Sequence, residues 1–136
     1  MAAVALATIL ISDLCGSTSL QSDLGPERAD ELRREHFEVL REAIEGAGGN
    51  EVKNMGDGLM VAFTSASAAV ECAVAMQQFV ERRNRGAERP LQVRIGLGAG
   101  EATVEDGDYF GMPTIEAARL CDTSPAGGIL ASELVR

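Results

Sequence analysis

Two acids in this sequence stand where a carboxylate could do chemistry. Asp13 follows Ala3-Val4-Ala5-Leu6-Ala7-Thr8-Ile9-Leu10-Ile11, an apolar run with β-branched residues that reads as a buried central strand. Asp57 lies in Gly56-Asp57-Gly58, between the strand-like runs Glu51-Val52-Lys53-Asn54-Met55 and Leu59-Met60-Val61-Ala62-Phe63. The flanking glycines supply the positive φ angles of a tight hairpin, so Asp57 is expected at a hairpin tip. Taken alone, Asp57 reads first as a turn former, because Asp and Gly favour turns for local backbone reasons. Taken together, a strand-end carboxylate and a neighbouring hairpin-tip carboxylate can hold a pair of hard cations, which take oxygen ligands and bridge to phosphate oxygens.

The turn after Asp13, Leu14-Cys15-Gly16-Ser17-Thr18-Ser19-Leu20, is made of small residues and leads into a helical stretch. Backbone N–H groups and hydroxyls at a helix start make an anion site suited to a phosphate chain. The same residues also read as a Ser/Thr helix cap. Farther on, Pro26 opens a longer helix that Gly46 and Gly48-Gly49 end, with Ala29, Leu32, His36, Leu40, Ala43 and Ile44 on one face. His36, the sole histidine, has no partner histidine or cysteine nearby, so it is read as packing and not as a metal ligand.

Thr64 or Ser65 is expected to cap a further helix reaching about Asn84, with Ala66, Ala69, Val70, Ala73, Met76 and Val80 as its buried stripe. Leu91, Val93, Ile95 and Leu97 alternate as a strand. Gly96, Gly98 and Gly100 do not have the spacing of a dinucleotide fingerprint, and are expected to mark a close backbone approach or a bend. Residues 101–105 are expected to pair back as another short strand turning at Asp106-Gly107. A helix with Pro113 in its first turn carries Glu116 and Arg119, and Gly127-Gly128 turns into a last strand. The order is β-α-β-β-α-β with additions. It predicts an α+β, ferredoxin-like (split βαβ) plan, an antiparallel sheet with helices mainly on one face.

The 136 residues suffice for one domain. A net charge of −9 repels nucleic acid and anionic membrane, so neither is an expected partner. Three dispersed cysteines, Cys15, Cys72 and Cys121, fit free thiols in a reducing cytosol, which makes a cytoplasmic location the expectation. The apolar N-terminus lacks a basic flank and a small-residue cleavage site, and is read as strand and not as a signal peptide. No run approaches the roughly 20 apolar residues of a membrane span.

Four separated pieces together resemble the class III adenylate/guanylate cyclase catalytic domain. They are Ile11-Ser12-Asp13-Leu14-Cys15-Gly16-Ser17-Thr18, Lys53-Asn54-Met55-Gly56-Asp57-Gly58, Arg94-Ile95-Gly96-Leu97, and Asp108-Tyr109-Phe110-Gly111 with Ala117-Ala118-Arg119-Leu120. They span nearly the whole chain in the family's order, so residues 1–136 read as a single catalytic domain.

The resemblance implies that Asp13 and Asp57, with the carbonyl of Leu14, bind two divalent cations, Mg2+ or Mn2+. It implies that the backbone of Leu14, Cys15, Gly16, Ser17 and Thr18 cradles a triphosphate, and that Arg119 meets charge developing on the α-phosphate. Lys53 and Asp108 match the base-reading positions, with Gly56, Tyr109 and Phe110 beside the nucleotide. An aspartate acceptor and a lysine donor complement adenine, whose edge offers an amino donor and a ring acceptor, so ATP is the expected substrate. Because one chain carries both residue sets, the resemblance implies a homodimer with two equivalent shared sites. Outside that context Arg119 reads as a surface arginine paired with Glu116.

Two departures stand against the family pattern. Ile115 occupies the place of an asparagine that in many members orients the ribose, and the family's triphosphate lysine, in a final hairpin, is expected beyond Arg136. The alternatives to an adenylate cyclase are therefore a guanylate cyclase and a cyclase-like module that dimerises and binds nucleotide without turnover. A palm-like cyclase or polymerase would carry a Gly-Gly-Asp-Glu-Phe turn, which the sequence lacks.

Overall fold

The strand that ends in Asp13, β1 (Ala3–Leu14), lies at the centre of the sheet in the computed structural model, which describes residues 2–135. After it come α1 (Ser17–Leu24), α2 (Pro26–Ala47), β2 (Asn50–Asn54), β3 (Leu59–Phe63), α3 (Ala66–Asn84), β4 (Val93–Glu105), β5 (Asp108–Phe110), α4 (Met112–Thr123) and β6 (Ile129–Ala131). The sheet order is β2-β3-β1-β4-β5, and these neighbours are all antiparallel. With β3 between the parallel-running β1 and β2, this is the split βαβ plan expected from the sequence.

Alternation along β1 divides its side chains between two cores. Leu10 faces a cluster with Leu40 and Ile44 of α2 and Ala69, Cys72, Ala73 and Met76 of α3. Ile9 and Ile11 face the other side, where Met60, Ala117 and Cys121 close a second cluster. Full burial of an Ile or Leu side chain contributes about 1.5–3 kcal/mol, so the central strand is anchored from both faces. α4 lies on the sheet face opposite α2 and α3, and its position follows from the glycines of β4. A Cβ at Gly96 would stand 2.2 Å from the Ala117 carbonyl oxygen, and one at Gly98 2.3 Å from that of Pro113. These glycines let a helix backbone settle directly on the strand, the close approach expected of them.

Four expectations need correction. Residues 101–105 do not pair back; they continue β4, which pairs with β1 along Ala3–Leu14, and only the turn at Asp106-Gly107 returns the chain as β5. β6 pairs with β4 in parallel, so the sheet is not wholly antiparallel. Gly46 sits inside α2, which ends at Gly48 in the left-handed conformation (φ 72°). On α3, Val70 is 37% exposed and Cys72, missed in the stripe, is buried. Ser65 caps that helix, accepting from the Ala68 amide at 3.2 Å.

Candidate active site

The hairpin tip is fastened to the end of β1, and this joins the two acids. The Leu14 amide donates to the Asp57 carbonyl at 2.8 Å, and the Leu59 amide donates to the buried Ser12 hydroxyl at 3.0 Å. Gly58 passes so close to the Ser12 carbonyl that a Cβ there would stand 1.7 Å from the oxygen. Asp13 and Asp57 consequently line one cavity of about 260 Å3, together with Met55, Ala118, Cys121 and Asp122.

Each acid is oriented by one partner. Arg94, opposite Asp13 in the β1–β4 register, donates through Nη2 to Asp13 Oδ2 at 2.5 Å and through Nη1 to the Asp122 carbonyl at 3.0 Å. The Asp13 bond raises the Arg94 pKa. Ser17 donates to Asp57 Oδ2 at 3.0 Å. Neither Oδ1 has a protein donor among the described residues, so each acid keeps one oxygen for a ligand. Among the described residues no group of three or more His, Cys, Asp or Glu could enclose a metal. Two neighbouring carboxylates, each with an uncommitted oxygen, are a donor set for a magnesium-like cation, which is held by one or two carboxylates plus waters and substrate phosphates. The donor set fits such cations.

The turn 14–18 borders the same region. Gly16 adopts the left-handed conformation (φ 69°) that starts α1, and the Cys15 amide donates to the Gln92 carbonyl at 2.8 Å. Leu14 and Leu20 are buried with Ala29, Leu32 and Leu91, which fix the turn from below. Ser17 is half-buried and Thr18 is exposed, and both line a smaller polar cavity that also contains Asp57. The Cys15 thiol is pushed up chiefly by burial, and Cys121 to about 12 for the same reason.

The other named residues form a second group, and none of them lines the cavity of the two acids. Lys53 of β2 donates to Asp108 Oδ2 of β5 at 2.9 Å, and this bond, more than any other influence, lowers the Asp108 pKa. The Tyr109 amide donates to Asp108 Oδ1 at 2.8 Å, and the Tyr109 carbonyl accepts from Thr114 at 3.1 Å. Phe110 is half exposed. Gly56, at φ 95°, donates its amide to the Asn54 side chain at 2.8 Å. Arg119 is exposed on α4 and borders a different depression with Glu116, Ser132 and Leu134, making no ion pair with Glu116 among the described residues. Ile115, one turn earlier, is 59% exposed.

Sequence reasoning did not find Ser12, Arg94 as partner of Asp13, or Asp122. An arginine amid the apolar alternation of β4 was a signal, yet the strand register that sets it opposite Asp13 is a tertiary fact.

The family description "Adenylate and Guanylate cyclase catalytic domain" matches residues 2–134. The chain belongs to this family. As a cyclase catalytic domain it is 35% identical over 130 residues to "Putative adenylate cyclase 3" of Rhizobium meliloti, covering 94% of this chain and 22% of that protein. An adenylate cyclase of Streptomyces coelicolor is 30% identical, over 92% of this chain and 33% of its own length. The cyclase domain thus spans a third or less of these two relatives. Among solved structures, an adenylate/guanylate cyclase/hydrolase from Silicibacter pomeroyi superposes with a TM-score of 0.85 at 36% identity, covering 99% of this chain and 80% of that one. The adenylyl cyclase CyaB from P. aeruginosa gives 0.86 at 29%, over 99% and 80%, and the guanylyl cyclase Cya2 gives 0.89 at 28%, over 98% and 77%. No helix of the described residues is long and apolar enough to cross a membrane.

Proposed function

We propose that this cyclase domain is an adenylate cyclase, converting ATP to 3′,5′-cyclic AMP and pyrophosphate at two equivalent sites shared between copies of the chain. The observation that carries the reading is the convergence of Asp13 and Asp57 on one cavity, each with an uncommitted carboxylate oxygen. Divalent cations held there, with the Leu14 carbonyl as a further ligand, would lower the pKa of the ribose 3′-hydroxyl and neutralise phosphate charge.

The protein's own residues then position and stabilise. The 3′-oxygen bonds to the α-phosphorus, the bond from that phosphorus to the β-phosphate oxygen breaks, pyrophosphate leaves, and the hydroxyl proton passes to solvent. The turn from Leu14 to Thr18 holds the phosphate chain against the acids. Arg119, exposed on α4, supplies the forked donors of a guanidinium to charge on the α-phosphate. Lys53 and Asp108 lie close enough to bond one another, so a single adenine edge can replace that bond by donating to Asp108 and accepting from Lys53. Arg119, Lys53 and Asp108 stand outside the cavity of the two acids, and a second copy related by two-fold symmetry would supply them to it.

Mixing inactive variants tests this arrangement. Asp57→Ala and Arg119→Ala should each abolish cyclic AMP formation. Their one-to-one mixture should regain about a quarter of wild-type activity, since half of the random pairs carry one intact site of two. Activity in either variant alone, or none in a mixture that demonstrably forms heterodimers, would refute the shared site. Ile115, which cannot hydrogen-bond a ribose, favours the second reading of a nucleotide-binding module without turnover. Metal-dependent ATP binding without product would support it.

A further inference from the structure

A polar cavity of about 130 Å3 lies between α1, α2 and the hairpin tip, lined by Ser17, Thr18, Gln21, Arg33 and Asp57 among others. Asp57 also lines the cavity it shares with Asp13, so the two cavities meet at its carboxylate. Among the described residues Arg33, on α2, is the only cationic side chain lining either of them. A polar cavity of this size holds several waters, enough room for a phosphate group.

Arg33 is available for such a ligand. Its Nη2 donates to Asp30 on the same helix, an i,i+3 pair in which both side chains are more than a third exposed. Exposed pairs of this kind are weak and yield readily to a better acceptor. A guanidinium carries five donors, and no other bond from Arg33 is found among the described residues. Thr18 likewise has a hydroxyl with no protein partner there, whereas Ser17 is committed to Asp57. The need for a cation is also evident. The chain carries a net charge of −9, and the Asp57 carboxylate in the same wall repels an anion.

We propose that Arg33 is a polyphosphate-binding residue, whose guanidinium, with the Thr18 hydroxyl, takes the terminal phosphate of the nucleotide and the pyrophosphate formed from it. The planar fork suits two phosphate oxygens at once, which a lysine offers only as a point charge. The inference rests on the cyclase reading and deepens it, since it gives the leaving group a protein-borne partner on α2.

Calorimetric titration of the protein with inorganic pyrophosphate in magnesium buffer tests it, using Arg33→Met, Arg33→Lys and Arg34→Met. Methionine keeps much of the apolar stem, and Arg34, exposed on the same helix and lining neither cavity, controls for net charge. Arg33→Met should weaken pyrophosphate binding about tenfold, the loss of one charge-assisted contact, with Arg33→Lys recovering part of it and Arg34→Met staying within about twofold. In turnover, KM for ATP should rise by a similar factor while kcat stays within about threefold, the pattern of lost uniform binding. Wild-type affinity in Arg33→Met, an equal loss in Arg34→Met, or no pyrophosphate binding by the wild type overturns the inference. If the wild type makes no cyclic nucleotide yet binds pyrophosphate through Arg33, the cyclase reading fails and this inference stands.

Discussion

Substituting alanine at Gly58 should misplace Asp57 relative to Asp13 without removing either acid. The new Cβ would stand 1.7 Å from the Ser12 carbonyl oxygen, against the 3.0 Å below which real Cβ contacts essentially do not occur, so tip and strand must part by about 1.3 Å. A movement of that size carries the 2.8 Å bond from the Leu14 amide to the Asp57 carbonyl to the edge of hydrogen-bond range or past it. The cost in stability is that of an overpacked site, about 1–3 kcal/mol, which lowers the melting temperature by roughly 4–10 °C. The cost in catalysis is of similar size in free energy, because a misplacement of about 1 Å can remove about 100-fold in rate, about 2.7 kcal/mol. The assay is cyclic nucleotide formation at saturating ATP, well below the melting point, with Gly86→Ala as the control. Gly86 has φ 72° with nothing within 4 Å of its Cβ position, so alanine there costs roughly 1 kcal/mol in strain and leaves the site undisturbed. If Gly58→Ala turns over within about threefold of wild type, the registration of the acids is not needed and the reasoning is wrong.

Burial of His36, reinforced by the charge of Arg83, lowers its pKa to about 4, and its Nε2 has no partner. The unfolded chain therefore takes up the proton first, and stability present above pH 6.5 is lost as pH falls towards 4. Urea titrations should show about 2 kcal/mol lost through this group between pH 7 and 5, and His36→Leu should flatten that dependence. An unchanged slope would assign the acid sensitivity elsewhere. Lys53→Gln and Asp108→Asn should each narrow the preference for ATP over GTP by about tenfold, read as a ratio of kcat/KM, because each removes one charged partner of adenine. Unaltered discrimination would free both residues from base reading. Cys72 and Cys121 are buried with pKa values pushed up to about 12, so a thiol-alkylating reagent at pH 8 should modify only Cys15 in the native protein, as mass spectrometry would show.

Much of this site was legible because its pieces are local. An apolar run stopping at an acid and an acid between two glycines each fix a backbone shape within a few residues, and both acids lie where those shapes put them. The adjacency of β1 to that hairpin followed from the βαββ order. The errors arose where only tertiary pairing decides. Residues 101–105 alternate as any strand does, and what makes them the continuation of β4 is the length of β1 beside them. β6 runs parallel because α4 crosses the sheet before it, a consequence of the helix face that Gly96 and Gly98 open. Arg94 against Asp13 and Ser17 against Asp57 depend on register and on one rotamer. Arg33 escaped notice because a charged residue on an amphipathic helix looks solvated until α1 folds over it.

We propose a metal-dependent adenylate cyclase built on Asp13 and Asp57. The most direct measurement is cyclic nucleotide formation from ATP and from GTP, with magnesium or manganese, over a range of protein concentrations, for the wild type, Asp13→Ala and Asp57→Ala. Cyclic AMP should form in excess over cyclic GMP, specific activity should rise with protein concentration as copies associate, and neither variant should give product. Metal-dependent turnover that survives in Asp13→Ala or in Asp57→Ala would refute the two-carboxylate site.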